Sequence, residues 1–301
     1  MPKHDIVLLT DARYVNPQQV DLYTQNILDE DKLLTAALQA KGLQAIRVDW
    51  ADETFNWQDA GVAVFRSTWD YFDRFAAFSA WLEKTKELTR FVNPYALIRW
   101  NLDKHYLLDL QARGVNIPET IFIEAGETTT LAAVVAQSGW EEVILKPAVS
   151  GAARHTYRLR AEDIARHEAI FRHLIANEAM MLQVFQRSVP EKGEIALMYF
   201  NGHYSHAVLK IAKPGDFRVQ DDFGGTVHAY QPTPAEIDLG ARAIHACQPV
   251  PVYGRVDIIE DNYGNPAVGE VELIEPELWL RMYPAAAEKM AGALANYIST
   301  R

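Results

Sequence analysis

Short apolar strands alternate with helical segments along the first hundred residues, and this alternation limits the fold more than any other feature of the sequence. Strands are predicted at Ile6 to Thr10, Ala45 to Val48 and Val62 to Phe65. Helices with apolar spacing are predicted from Val20 to Lys41 and from Phe75 to Thr89. Because strands that alternate with helices form βαβ units, the sequence predicts an α/β fold that begins with an open parallel sheet.

The later part of the chain has a different pattern. A helix is predicted from Leu102 to Arg113 and a strand from Val143 to Lys146. The strands that follow are joined by tight turns such as Asn201-Gly202, which is typical of antiparallel hairpins. These strands are Met181 to Phe185, Ile195 to Phe200, His203 to Lys210 and Tyr253 to Ile259. We therefore expect an α+β portion with an antiparallel sheet.

Charge and composition exclude several classes of partner. The 301 residues carry a formal net charge of −11 at a pI near 5.3, so a basic surface for nucleic acid or an anionic membrane is not expected. The one cysteine, Cys247, cannot form an internal disulfide. The apolar run Ile6 to Leu9 is too short for a signal peptide or a membrane span. A cytoplasmic enzyme with small-molecule partners is the simplest interpretation.

Acidic residues recur in the segment YGRVDIIEDNYGNPAVGEVELIEPEL, residues 253–278. Asp257 lies in an apolar strand, and after a turn the return strand carries Glu270 and Glu272 on one face, because side chains alternate along a strand. A hairpin brings these carboxylates together, and their repulsion requires cations. Hard oxygen donors suit magnesium bound beside nucleotide phosphates. A solvated acidic face explains the same spacing, although Asp257 between Val256 and Ile258 is unusual for solubility alone.

This segment resembles the metal-binding hairpin of the ATP-grasp ligases, which include D-alanine:D-alanine ligase, glutathione synthetase and the RimK-like ribosomal-protein S6 glutamate ligases. The resemblance implies that Asp257, Glu270 and Glu272 hold Mg²⁺, as two ions, with Mn²⁺ as an alternative metal. Glu272 stands where the family commonly has Asn. The resemblance also implies that Arg255 stabilises the transferring phosphate.

Other features of the family follow in the expected order. Lys104 resembles a lysine that contacts the nucleotide phosphates, although taken alone it is typical of an exposed helix residue. Lys146 ends an apolar strand before a loop of small residues, where a lysine can meet phosphate. The loop at residues 150–153, which begins with Ser150 and Gly151, resembles the one that closes over the nucleotide. Arg154 and the histidine after it are additional candidate contacts.

The strand at residues 181–185 resembles the hinge that binds adenine. The resemblance implies backbone hydrogen bonds and apolar walls from Gln183, Val184 and Phe185. It assigns the ribose hydroxyls to Glu194, with Glu191 as the competing candidate. A buried strand followed by an exposed acidic turn explains the hydrophobicity of this segment but not the order of motifs.

FRVQDDFGG, residues 217–225, resembles the FRxNxxxGG stretch of the glutathione synthetase and S6 ligase branch. Arg218 would then stabilise the phosphoryl group or the acyl phosphate, because a guanidinium binds phosphate in bidentate fashion. Gln220 replaces the asparagine of that pattern. Lys210 and His228 are further candidates.

The resemblance implies an N-terminal substrate-binding subdomain over residues 1–100, a central lid over 101–185 and a C-terminal subdomain with the metal site over 186–301. In the first of these, RSTWDY follows an apolar strand, where open α/β sheets place ligand loops. Arg66 and Ser67 are therefore candidate substrate ligands, and Trp69 a candidate pocket wall. Packing of Trp69 and Tyr71 against a neighbouring subdomain is the alternative.

The family mechanism implies attack of a substrate carboxylate on the γ-phosphate of ATP, then attack of an amine on the acyl phosphate. Positioning and charge neutralisation are the tasks of the protein in such chemistry. Three hypotheses remain: ligation of two amino-acid-like molecules, which the motifs favour, ring closure within one molecule, and an ATP-binding protein without catalysis. The segments RSTWDY and EVELIEP resemble the corresponding segments of the ATP-grasp enzymes that close the ring of D-cycloserine. A homodimer is a further expectation from the family.

Overall fold

Four parallel strands form the first sheet of the computed structural model, which describes residues 2–151, 153–219 and 223–300. In chain order the elements are β1 (His4–Thr10), α1 (Ala12–Val15), α2 (Leu22–Gln39), β2 (Ala45–Asp49), a 3₁₀ turn (Trp57–Asp59), β3 (Ala60–Ser67), α3 (Phe75–Thr85), β4 (Arg90–Val92) and α4 (Tyr95–Asn101). The strand order is β2-β1-β3-β4. The side chain of Asp21 caps α2 by accepting a hydrogen bond from Thr24 N. The predicted open parallel sheet is confirmed.

Antiparallel strands form the second sheet, in the order β5-β8-β6-β7. Its part of the chain contains α5 (Tyr106–Ala112), β5 (Thr120–Ile123), α6 (Leu131–Ser138), β6 (Glu142–Pro147), β7 (Tyr157–Arg160), α7 (Ala161–Ile175) and β8 (Met180–Val184). Thr130 caps α6, and Gly139 ends it at a φ of 70°, a left-handed conformation that glycine adopts without steric cost.

Antiparallel strands also form the third sheet, which carries the acidic hairpin. Its elements are α8 (Ser188–Lys192), β9 (Glu194–Phe200), β10 (His203–Ile211), β11 (Thr226–Tyr230), α9 (Pro234–Ala246), β12 (Tyr253–Glu260), β13 (Pro266–Glu272) and α10 (Ala285–Ser299), with the strand order β11-β10-β9-β12-β13. Asn201 and Gly202 both have positive φ, as a two-residue hairpin turn requires. In the hairpin of β12 and β13, Asp257 lies opposite Glu270, and Arg255 lies opposite Glu272. The predicted antiparallel sheet is confirmed.

The predicted helix from Leu102 to Arg113 is wrong at its start. Residues 95–101 form the separate helix α4, and α5 begins only at Tyr106. Between them, Asp103 Oδ1 accepts a hydrogen bond from His105 N at 3.0 Å, and a short acidic side chain that binds the backbone in this way competes with helix formation. Lys104 therefore lies in a turn and is buried, with 7% of its surface exposed, rather than on an exposed helix face.

The first and third sheets share one core. Leu34 and Leu38 of α2 pack in the same cluster as Met290 and Leu294 of α10. The buried side chain of Asn93 joins the two sheets as well, because Nδ2 donates to the carbonyls of residues 253 and 273 at 2.8 and 2.7 Å. The end of the parallel sheet thus lies beside the acidic hairpin. The subdomain boundaries at residues 100 and 185 stay a prediction.

No helix within the described ranges is both long enough and apolar enough to cross a bilayer.

Candidate active site

One cavity of about 370 Å³ is lined by residues from all three sheets and the loops around them. It contains all of the main predicted site residues except Arg66 and Ser67. These residues are Trp69, Lys104, Lys146, Ser150, Gly151, Gln183, Val184, Phe185, Glu194, Arg218, Arg255, Asp257, Glu270 and Glu272. Residues that lie more than 200 positions apart in the chain therefore meet at one site.

Asp257 is the centre of a buried ion-pair network. It is 3% exposed, and its carboxylate accepts hydrogen bonds from Arg255 Nε and Nη2, both at 2.8 Å, and from Lys210 Nζ at 2.9 Å. Burial alone would raise the pKa of Asp257, but the charges of Arg255 and Lys210 outweigh it and hold the pKa at about 2. Asp257 is therefore an anion throughout the neutral pH range.

The other carboxylates of the hairpin also face cations. Glu270 lies 3.0 Å from Lys104 Nζ, and Glu272 pairs with Arg255. Burial, together with the neighbouring carboxylates Asp257 and Glu270, raises the pKa of Glu272 to about 8 in spite of Arg255. Clustered carboxylate oxygens are the hard donors that a divalent cation such as magnesium prefers. Within residues 2–151, 153–219 and 223–300, no group of three acidic, histidine or cysteine side chains is arranged to hold a metal ion. The carboxylates of the hairpin instead pair with Lys104, Lys210 and Arg255.

Two cations of the network lie over the buried ring of Trp279. Arg255 Cζ is 5.2 Å and Lys210 Nζ is 6.0 Å from a ring centroid of Trp279, within the range of cation–π attraction. Trp279 is 2% exposed and has a φ of 47°, which is uncommon for a bulky residue. Sequence reasoning missed this residue, because no local pattern around it indicates which charges it meets.

The remaining basic residues of the cavity differ in how their charge is compensated. Lys104 Nζ donates to the carbonyl of Ser150 at 2.7 Å and so holds the start of the predicted closing loop. Lys146 has no ion-pair partner in the described part of the chain, and burial, with the charge of Lys104, lowers its pKa. Arg218 pairs with Asp216 at 2.8 Å. An enclosed ammonium without a carboxylate partner is suited to an anionic ligand.

Strand β8 forms one wall of the cavity. Because β8 lies between β5 and β6, its backbone groups are used within the protein. The N–H of Val184 donates to Glu119 O and that of Phe185 to Glu142 O, both at 3.0 Å. These two residues therefore offer apolar walls, and their backbone N–H groups are hydrogen-bonded within the protein.

Aromatic residues form another part of the cavity wall, here called the aromatic end. The ring centroids of Tyr14 and Tyr23 each lie 6.0 Å from that of Trp69. The indole N–H of Trp69 donates to Glu275 O at 3.1 Å. Trp69 thus both lines the cavity and packs against the loop after β13. The cavity residues that sequence reasoning missed at this end are Arg13, Tyr14, Tyr23, Phe72, Glu275 and Glu277. The position of Arg13 and Tyr14 just after β1 is the signal that could have found them.

Comparison with known proteins agrees with this geometry. A family model described as the N-terminal domain of the D-cycloserine synthetase DcsG matches residues 6–93. The cycloserine biosynthesis protein DcsG of Streptomyces lavendulae is 36% identical, over 87% of this chain and 92% of that protein. The chain belongs to the DcsG family. A crystal structure of D-cycloserine synthetase DcsG aligns with a TM-score of 0.84 at 32% identity, over 97% of this chain and 99% of that one.

More distant structures share the ATP-grasp fold. A RimK-domain ATP-grasp protein of Sphaerobacter thermophilus has a TM-score of 0.64 at 21% identity, over 97% of this chain and 98% of that one. The D-alanine–D-alanine ligase of Bacillus anthracis has a TM-score of 0.67 at 16% identity, over 98% and 97%. The predicted ATP-grasp fold is confirmed, and membership of the DcsG family confirms the predicted class, an ATP-grasp ligase.

Arg66 and Ser67 lie outside the cavity of this DcsG-family site. Arg66 is 5% exposed and faces α2, where it lies 3.2 Å from Asp31 and 3.7 Å from Glu30. Ser67 Oγ is hydrogen-bonded to Thr10 Oγ1 at 2.7 Å. Both residues border a separate space of about 20 Å³ that shares Trp69 with the main cavity.

The secondary candidates also include residues that line the cavity and residues that do not. Lys210 lines the cavity, whereas Glu191 and His228 are exposed and do not, so Glu194 is the one of the two ribose candidates that the fold brings to the site. Arg154 binds Glu178 through two hydrogen bonds of 2.8 and 2.9 Å. Gln220, like Ala152 of the closing loop, lies outside the described residues.

Proposed function

We propose that this enzyme uses ATP to phosphorylate the carboxylate of a small amino-acid derivative and then closes a ring within that molecule. A nitrogen of the substrate attacks the acyl phosphate, and ADP and inorganic phosphate are released. The observation that carries the proposal is a single cavity in which basic and acidic side chains alternate around Asp257. The identity of 36% to DcsG, a D-cycloserine synthetase, supports ring closure.

The nucleotide is proposed to lie along β8 and the hairpin. Related folds have been solved with these ligands: the D-alanine–D-alanine ligase of Bacillus anthracis with ATP, and the ligase PsnB with Mg and ADP. Val184 and Phe185 would wall the adenine, with Gln183 beside them, and Glu194 would accept from the ribose hydroxyls. Lys146 and Lys104 would meet the phosphates, because a dry cavity strengthens charge-assisted hydrogen bonds.

Asp257, Glu270 and Glu272 are proposed to hold magnesium, as two ions, with Mn²⁺ as the alternative. Bound there, the metal would neutralise phosphate charge. Their carboxylate oxygens are hard donors of the kind that magnesium prefers, and all three residues line the cavity that would hold the phosphates.

Positioning by charged side chains is the proposed source of catalysis. Arg255 is held by Asp257 at 2.8 Å and would donate to the transferring phosphoryl group, together with Arg218. Ser150 and Gly151 would close over the nucleotide, with Ser150 tied to Lys104. The protein needs no nucleophile of its own, since in-line phosphoryl transfer depends on alignment and charge neutralisation.

The substrate is proposed to occupy the aromatic end of the cavity, with Trp69 as a wall. Because Arg66 and Ser67 do not line the main cavity, any effect of these two residues on the substrate would be indirect. Ligation of two separate molecules, which the sequence motifs favour, is the alternative that the experiment below distinguishes.

The test is incubation with magnesium-ATP and linear amino-acid derivatives, including the ring-opened form of D-cycloserine, with ADP, AMP and products quantified. We expect ADP and a ring product from one organic substrate, and a hydroxamate when hydroxylamine is added. ADP formation that requires a second, amine-bearing molecule would replace ring closure by ligation. AMP would point to adenylation and overturn the acyl-phosphate mechanism, and a failure to bind ATP in calorimetry would overturn the proposal as a whole.

A further inference from the structure

Gly151 is a glycine whose own backbone conformation does not require one. Its φ lies outside the left-handed range that glycines such as Gly139 adopt in this structure. A β-carbon at position 151 would instead lie 2.7 Å from both Cδ1 and Cε1 of Phe72. Carbon atoms in favourable contact are about 3.5–4.0 Å apart, so there is no room for a side chain while the ring of Phe72 stays in place. The backbone of Gly151 and the ring of Phe72 are therefore in direct contact.

The ring of Phe72 belongs to the aromatic end of the cavity, which it lines together with Trp69. Phe72 lies in the loop between β3 and α3, and its ring centroid is 5.5 Å from that of Tyr71, with an angle of 72° between the rings. Tyr71 is 6% exposed and packs on Phe78 of α3 at a centroid distance of 4.8 Å. The segment that carries Phe72 is thus anchored to the core of the first sheet.

Hydrogen bonds fix the loop that contains Gly151. Lys104 Nζ donates to Ser150 O at 2.7 Å, and Ser150 Oγ donates to Arg154 O at 3.0 Å. The N–H of Arg154 donates in turn to Gly151 O at 3.0 Å. The contact with Phe72 therefore joins two anchored segments, one from the loop after β3 and one from the loop after β6.

Phe72 and Gly151 belong to different functional parts of the cavity. Phe72 lies at the aromatic end proposed for the substrate, whereas Gly151 belongs to the loop proposed to close over the nucleotide. Because protein interiors are close-packed, a substrate that packs against the ring restricts the positions that the ring can take. The ring in turn restricts where the backbone at Gly151 can rest. One side chain thus connects the contacts of the two ligands.

We propose that Phe72 is a positioning residue that couples substrate binding at the aromatic end to the placement of Ser150 and Gly151 over the nucleotide. This inference rests on the proposed function. Phe72 contacts no reacting atom and acts through Gly151, by limiting where the loop can rest. Coupling between two sites is reciprocal, so substrate and nucleotide tighten each other's binding by the same factor.

The first test measures this mutual effect by calorimetry. One ligand is the non-hydrolysable ATP analogue AMPPNP with Mg²⁺, and the other is the ring-opened form of D-cycloserine. In the wild type we expect the second ligand to lower the Kd of AMPPNP by about 5- to 150-fold. In Phe72→Ala both ligands should still bind separately, but this factor should fall to about 1 to 2. Phe72→Leu keeps an apolar side chain against the core and should give an intermediate factor.

Gly151→Ala tests the contact itself and needs the nucleotide alone. The added methyl group overpacks against Phe72, so we expect AMPPNP binding to weaken by about 5- to 150-fold. Removing the ring in the double variant Gly151→Ala/Phe72→Ala vacates that space, so most of the lost affinity should return. A glycine that is needed only for backbone freedom would lose the same affinity with and without the ring.

Phe75→Ala is the matched control for lost packing. Phe75 is partly buried and packs against the same core cluster as Phe72, but it does not line the cavity. Its replacement should lower the melting temperature without changing the factor by which the second ligand tightens AMPPNP binding. A purely structural role of Phe72 would make Phe72→Ala behave in the same way as Phe75→Ala.

The outcomes are distinct. A coupling factor in Phe72→Ala equal to that of the wild type would overturn the inference, and so would a wild-type factor near 1 when both ligands bind. A loss of affinity in Gly151→Ala that Phe72→Ala does not relieve would overturn it as well, and this arm holds even if the ring-opened form of D-cycloserine does not bind. The proposed function fails separately, because its failure appears as a wild-type protein that does not bind AMPPNP or form ADP.

Discussion

Replacing Arg66 by methionine tests whether this arginine stabilises the fold or binds the substrate. In the structure Arg66 is 5% exposed and lies 3.2 Å from Asp31 and 3.7 Å from Glu30, both buried on α2. It does not line the main cavity. Methionine keeps much of the length and apolar surface of the side chain and removes its charge. We therefore expect Arg66→Met to reduce stability and to leave substrate binding nearly unchanged.

The magnitude follows from the charges that remain. Removing one partner of a buried ion pair costs about 3–5 kcal/mol, because the other charge is left uncompensated. Here Arg47 stays 2.8 Å from Asp31 and Arg281 stays 3.2 Å from Glu30, so the lower end, about 3 kcal/mol, is expected. At about 2–4 °C per kcal/mol for a chain near this size, the melting temperature should fall by about 6–12 °C.

The assay combines calorimetry with steady-state kinetics on the same preparations. Asp31→Asn and the double variant Asp31→Asn/Arg66→Met complete a cycle in which the double variant should lose less than the sum of the single losses. An unchanged melting temperature together with a substrate KM raised about tenfold, or about 1.4 kcal/mol, would refute this reasoning. That result would make Arg66 the substrate ligand that the sequence suggests.

Three further perturbations test other parts of the structure. Burial lowers the pKa of His206 to about 4 from 6.5, so the folded protein keeps this ring neutral while the unfolded chain takes up a proton below pH 6.5. Its contribution is complete above pH 6.5 and is lost as the pH falls to 4, by about 3 kcal/mol. Urea unfolding at several pH values should show a shallower acid loss in His206→Gln, and an equal loss would contradict the assignment. Trp279→Leu should lower kcat by about 2- to 30-fold through lost cation–π attraction to Arg255, and Trp279→Phe should lower it less. Equal rates in the two variants would exclude the ring face as the cause. Asn93→Ala leaves two carbonyls and the N–H of Val252 without partners, so a loss of about 3 kcal/mol or more is expected in calorimetry, and a loss below about 1 kcal/mol would mean that water replaces the side chain.

Local patterns in the sequence determined the elements and much of the cavity. The alternation of apolar strands and helices was sufficient for the parallel sheet, because hydrophobic periodicity is a local property. The hairpin of Asp257, Glu270 and Glu272 was predictable for the same reason, since a short turn leaves few registers that bury the apolar face. The helix start near Lys104 was not predictable in this way. The Asp103 side chain accepts a hydrogen bond from the backbone there, and such a bond leaves no periodic pattern in the sequence.

Tertiary structure alone decided which charges meet. The same strand end placed Trp69 in the cavity and turned Arg66 toward α2, where Asp31 and Glu30 are its partners. Trp69 donates a hydrogen bond to the backbone carbonyl of Glu275 although the two residues lie far apart in the chain. Such pairs depend on how the sheets pack against each other, and no spacing within either segment encodes that packing. The sequence therefore identified the types of group that the chemistry needs, and the fold selected which of them share the site.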